Sequence, residues 1–170
     1  MEIWDLYDER RKIIGEHIRG TELPEDGFHL VVHVWIQNSD GKYLMTQRSA
    51  NKSTFPLMWE CVGGSVIKGE NSIRSAVREV KEEVGVNLLP EDGELLFTKI
   101  RKTIGGKRYN DIVDVWRFRY DGEVLVENAT TDEVEQAQWM GREEIEALRR
   151  ENKLVYSIKD LDYFFDEMEP

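Results

Sequence analysis

The hydrophobic pattern changes period several times along the chain, and each change marks an element. Residues 2–7 and 12–18 carry apolar positions around a polar turn at 8–11, which predicts an N-terminal hairpin. After a polar stretch at 20–27, Leu30, Val32, Val34 and Ile36 alternate with Val31, His33 and Trp35. Such a run is apolar on both sides and predicts a strand over 29–37 that is covered on both faces. The Asp40-Gly41 turn signal leads into 43–47 and predicts a second hairpin. A loop at 51–56 precedes a short strand at 59–62 that runs into Gly63-Gly64. Over 72–84, Ile73, Ala76, Val77, Val80 and Val84 form one helical stripe. Asn71 or Ser72 can cap its start, and Gly85 suits its C-terminal end. Strands are expected at 94–101, 111–120 and 135–140, and helices at 142–150 and 157–167. Strands around one strong central helix, with helices near the end, predict an α/β fold: a mixed sheet packed between helices. No linker divides residues 1–170, so a single domain is expected, with 1–28 as a hairpin extension.

Composition narrows the function classes. The chain has 170 residues, 40% of them hydrophobic and 34% charged, as a soluble globular domain does. Thirty-four acids against 23 bases leave a formal charge of −11, which disfavours a nucleic acid polymer as partner. A small phosphorylated substrate stays open, because one bound divalent cation reverses the local field. No apolar run approaches the ~18 residues of a membrane helix, so no membrane partner is expected. The N-terminus, MEIWDLYDER, lacks the basic-then-apolar pattern of a secretory signal. A single cysteine, Cys61, excludes an intramolecular disulfide framework. Together these predict a cytoplasmic protein.

The candidate chemistry lies in 64–86, GSVIKGENSIRSAVREVKEEVGV. Glu79, Glu82 and Glu83 stand at i, i+3 and i+4 of the expected helix, at about 0°, −60° and +40° around its axis. They project from one flank, near the edge of the apolar stripe. Two unit charges ~5.5 Å apart repel by about 3 kcal/mol at an effective dielectric of ~20. A partly buried triple therefore needs a cation, whereas a solvated one does not. The preceding Gly63-Gly64 bares backbone carbonyls, so a backbone oxygen can join carboxylates around a hard cation such as Mg²⁺. Glu70 can pair with Arg78 and pin the loop to the helix.

Gly64, Glu70, Arg78-Glu79-Val80, Glu82-Glu83 and Gly85-Val86 stand at the spacing of the Nudix box, and the chain resembles that family. The resemblance implies an α/β/α sandwich and Mg²⁺- or Mn²⁺-dependent hydrolysis of a small-molecule diphosphate. It implies metal binding by Glu79, Glu82 and Glu83, with the Gly63 carbonyl as a further ligand, and a structural Glu70–Arg78 salt bridge. One further acid outside the box, Glu133, is expected to assist as base or ligand, and Glu79 is the other candidate base. Asp111 and Asp114 are weaker candidates for that extra acid. Arg48 resembles a substrate-phosphate contact.

The N-terminal segment and Asn110-Asp111 also resemble the Nudix branch related to isopentenyl-diphosphate isomerase. That isomerase uses a cysteine about five residues past the tryptophan. Here Cys61 lies two residues past Trp59, the fifth position is Gly64, and the box is intact, which favours a hydrolase. The alternatives are an isomerase-like enzyme and a non-catalytic ligand-sensing module. Cys61 reads as a small buried hydrophobe. His17, His29 and His33 read as packing residues that could also meet a phosphate or base. The hairpin offers an edge through which a homodimer could form.

Overall fold

A computed structural model describes residues 1–158 and 164–165. The chain opens with β1 (Ile3–Tyr7) and β2 (Ile13–Ile18), which pair antiparallel in a sheet of their own. Asp8 closes their turn by accepting the amides of Arg10 and Lys12, each at 2.9 Å. The main sheet has seven strands: β3 (His29–Gln37), β4 (Tyr43–Arg48), β5 (Trp59–Glu60), β6 (Val62–Ser65), β7 (Glu94–Ile104), β8 (Lys107–Arg119) and β9 (Val134–Met140). Its path runs β5-β4-β3-β8-β7, with β6 also on β3 and β9 also on β4. Helix α1 (Ser72–Val84) lies against one face, and α2 (Arg142–Arg150) follows β9.

The central strand explains the layering. Leu30, Val32, Val34 and Ile36 pack with Ala76, Val80 and Val84 of α1 and with Phe118. Trp35, on the opposite side of β3, packs with Tyr43, Met45, Val113, Val115, Ile145 of α2, Phe164 and Phe165. The sheet is thus buried between two apolar layers, as the run of apolar residues on both faces of β3 requires. Most of the helix expected at 157–167 lies outside the described residues. Among the described residues no helix is long and apolar enough to cross a membrane.

Three elements depart from the sequence pattern. The expected second hairpin closes at its turn, where the Asn38 amide donates to the Lys42 carbonyl at 2.9 Å, the Lys42 amide donates to Asn38 Oδ1 at 2.9 Å, and Gly41 takes φ +76°. Its strands then separate after the single pair Gln37–Tyr43. The cause is competition for one edge: Val31–Val34 of β3 pair instead with β6, and β4 pairs with β5 and β9. The sheet therefore splits beside the diglycine. The strand expected at 111–120 begins earlier, because Gly105 (φ +56°) and Gly106 (φ +80°) form the tight turn of a long β7–β8 hairpin. Two successive positive φ values are what a two-residue hairpin loop of this hand needs, and glycine supplies them without strain. The strand 59–62 is interrupted at Cys61, which divides it into β5 and β6.

Candidate active site

Helix α1 begins where Asn71 accepts the Arg74 amide at 3.0 Å and ends at Gly85, φ +71°, whose N–H reaches the Lys81 carbonyl. Those ends set the rotation of the helix, and the apolar stripe turns Glu79, Glu82 and Glu83 toward the split in the sheet. The fit to the diglycine is close. A Cβ on Gly64 would lie 2.3 Å from Glu79 Oε1, and one on Gly63 would lie 2.4 Å from the Val32 carbonyl. At Gly63 the obstacle is backbone and only glycine fits, whereas at Gly64 an added methyl would push the Glu79 carboxylate aside.

Arg78 organises the flank. Its Nε donates to both Glu70 oxygens at 3.1 and 3.3 Å, and its Nη2 donates to Glu70 and to the Ser65 carbonyl, each at 3.1 Å. Its Nη1 donates to Glu79 at 2.8 Å and Glu82 at 3.0 Å. Ser75 adds a hydroxyl to Glu70. Burial works against the Arg78 charge, but the hydrogen bonds and fields of Glu70 and Glu79 raise its pKa further.

The structure brings two more acids to this cluster. Glu133, just before β9 rather than on it, pairs with Lys52. Glu60 on β5 pairs with Arg48 Nη1 at 2.6 Å. Arg48 also donates to the Thr54 carbonyl at 2.9 Å and hydroxyl at 3.2 Å, so its guanidinium is engaged on every side. Glu83 is buried, 7% exposed, and no hydrogen bond or ion pair reaches it among the described residues. Its carboxyl is pushed well above the usual range by burial and by the negative fields of Glu60, Glu79 and Glu133. Burial likewise pushes Glu79 up to about 7, against the pull of Arg78. Glu60 is raised by burial despite Arg48.

Asp111 and Asp114 belong elsewhere. Asp111 holds Arg101 through two bonds of 2.7 and 2.6 Å. Asp114 holds Arg11 through two bonds of 2.7 and 2.5 Å. A cavity of about 270 Å³ opens beside the diglycine, bounded by His29, His33, Glu60, Gly63, Arg101 and Tyr109. His33 is held neutral there, its pKa lowered to about 3 by burial and by the Arg101 charge.

Glu60 was missed by the sequence pattern. The available signal was an acid between two residues that bury, Trp59 and Cys61, in a segment otherwise apolar.

Among the described residues no three acidic, histidine or cysteine side chains are drawn into a closed ligand shell. Arg78, Arg48 and Lys52 hold four of the carboxylates instead. The donor set nevertheless suits a hard divalent cation. It offers oxygen donors only, and Glu83 is buried with no protein hydrogen-bond donor on it among the described residues.

The Nudix-domain family model matches residues 27–161. The chain belongs to the Nudix family. An uncharacterized Nudix hydrolase of Listeria monocytogenes is 34% identical over 167 residues, 97% of this chain and 91% of that protein. A Deinococcus radiodurans crystal structure superposes with a TM-score of 0.73 at 24% identity, covering 94% of this chain and 96% of that one. A bifunctional NMN adenylyltransferase/ADP ribose pyrophosphatase from Francisella tularensis, complexed with AMP and a manganese ion, superposes with a TM-score of 0.59 at 18% identity. It covers 83% of this chain and 42% of that protein, and at such identities both structural matches establish the fold alone. The Nudix match stops short of β1 and β2, which precede residue 27.

Proposed function

We propose that this Nudix hydrolase cleaves the phosphoanhydride bond of a nucleoside-diphosphate-type or small organic diphosphate, using Mg²⁺ or Mn²⁺. The observation that carries the reading is the surplus of acid at the split in the sheet. Glu60, Glu79, Glu82, Glu83 and Glu133 face three basic side chains, one of which also serves Glu70. Glu79, Glu82 and Glu83, with the Gly63 carbonyl, would hold the cation. When bound, it neutralises phosphate oxygens and lowers the pKa of water. The manganese ion in the Francisella neighbour is consistent with that assignment for this chain.

The chain's own groups supply the remaining parts. Arg78, anchored on Glu70 and the Ser65 carbonyl, fixes the angle at which Glu79 and Glu82 leave the helix. Glu133, 44% exposed at its side chain, is open enough to take a proton from water, and Glu79 is the alternative base. The cavity beyond Glu60 and Gly63 receives the group attached to the diphosphate. Burial of Cys61, 3% exposed, with its thiol pKa pushed up, argues against an isomerase-like role for it.

Glu82→Gln and Glu83→Gln should each lower kcat by orders of magnitude on a panel of diphosphates, with little loss in melting temperature. Full activity in either variant overturns the assignment. Tight diphosphate binding without turnover by the wild-type protein would instead favour a ligand-sensing module.

A further inference from the structure

The N-terminal hairpin lies outside the seven-stranded sheet and outside the Nudix match, yet it grips the segment that leads into the catalytic helix. Ile67–Glu70 form a tight turn: the Glu70 amide reaches the Ile67 carbonyl at 3.1 Å, and Gly69 takes φ +77°. In such a turn the amides of the two central residues point outward and need acceptors. The hairpin supplies both. The Lys68 amide donates to the Ile3 carbonyl at 2.9 Å, and the Gly69 amide donates to Asp5 Oδ2 at 2.8 Å. Asp5 is only 9% exposed, whereas the neighbouring Lys68–Glu16 ion pair is half exposed on both sides. The tip of the same hairpin reaches the start of the helix. Arg11 holds the buried Asp114, which Thr98 also bonds and whose pKa Ser72, the first residue of α1, helps to lower.

Glu70 follows Gly69 directly. Its carboxylate receives Ser75 and three bonds from Arg78, and Arg78 spends its remaining nitrogen on Glu79 and Glu82. A guanidinium has five N–H donors in a fixed fork. If Glu70 retreats, the acceptors that remain bonded to Arg78 are the Ser65 carbonyl, Glu79 and Glu82, and the guanidinium competes more strongly for the carboxylate oxygens a cation needs. Resting on the hydrolase reading above, we propose that Asp5 is a positioning residue. By fixing the 67–70 turn it keeps Nε and Nη2 of Arg78 on Glu70, and so limits the hold of Arg78 on Glu79 and Glu82 to the single nitrogen Nη1 that a divalent cation must displace.

The test is Mn²⁺ binding by the whole protein, followed by titration calorimetry, beside amide hydrogen exchange at 68–70 and steady-state kinetics. Asp5→Ala should weaken Mn²⁺ binding about ten-fold, the lower end of what such supporting partners contribute. It should also speed exchange at the Gly69 amide. At saturating Mn²⁺ its KM should match the wild type. Asp5→Asn keeps an oxygen for the Gly69 amide and should restore Mn²⁺ affinity. Glu16→Ala, which leaves both turn amides satisfied, should not change it. Should Asp5→Ala melt below the assay temperature, Asp5→Glu, which displaces the acceptor, carries the same expectation. Faster Gly69 exchange with unchanged Mn²⁺ affinity overturns the inference and leaves the hydrolase reading intact. Failure of Asp5→Asn to restore affinity also overturns it. A wild-type protein that binds no Mn²⁺ breaks the parent reading instead.

Discussion

Strand β8 and helix α1 both bury carboxylates, and they treat them in opposite ways. On β8, Asp111 and Asp114 each receive a bidentate arginine, Arg101 and Arg11. Burial alone would push Asp114 up, but the bonds from Arg11, Ser72 and Thr98 outweigh it and its pKa falls below the usual range. On α1, Glu83 has burial and three neighbouring acids but no donor, and its pKa rises. A buried acid with a dedicated cation is a finished structural joint. A buried acid left in surplus costs stability, and a fold tolerates that cost where a ligand relieves it.

Removing metal strikes only one side of this contrast. With Mg²⁺ or Mn²⁺ at ~100 times its dissociation constant, the folded protein should gain about 2.7 kcal/mol. The melting temperature should therefore rise with added metal and return with chelator, whereas Glu83→Gln should melt alike in both. A wild-type protein with no metal-dependent shift would break the comparison.

Asp114→Ala tests the other side. Side-chain exposure is 1% for Asp114 and 39% for Arg11, so water relieves part of the loss at the arginine. Destabilisation of about 2 kcal/mol is expected in denaturant melts, with metal affinity per folded molecule little changed. Glu83→Gln should move stability the opposite way in metal-free buffer. It removes a like charge and should stabilise by about 1 kcal/mol while activity is lost. Destabilisation by that substitution would show that Glu83 is paired after all.

Acid gives the smallest and most selective effect. Because the folded pKa of Asp114 lies below its unfolded value, its contribution is fully present above the unfolded pKa of about 3.9 and is lost as pH falls through the folded one. Wild-type stability should therefore drop more steeply below about pH 4 than that of Asp114→Asn, as read from melts at stepped pH.

Helix α1 was legible in full, because a 3.6-residue period, a capping asparagine and a terminal glycine agree on the same boundaries, Ser72–Val84. The residues of the box were legible for the same reason: their spacing is local, and a helix converts local spacing into geometry. The β7–β8 turn was written in Gly105-Gly106, yet the polar residues on both sides hid the strands that flank it. Glu60 and the split between β3 and β4 were not legible. Both depend on which strand takes an edge of β3, and that choice joins segments far apart in the chain.

From the order of residues alone came the family, the central helix and the three carboxylates on its flank, since each depends on neighbours within two turns. The sequence resemblance also offers Glu133, with Asp111 and Asp114 behind it. Tertiary structure alone decided that Glu60 joins the helix carboxylates, that of those three acids only Glu133 lies by the cluster, and that a hairpin holds the turn before the helix. Those outcomes are set by long-range pairing and burial, which determine whether a given carboxylate meets a cation, another acid or water.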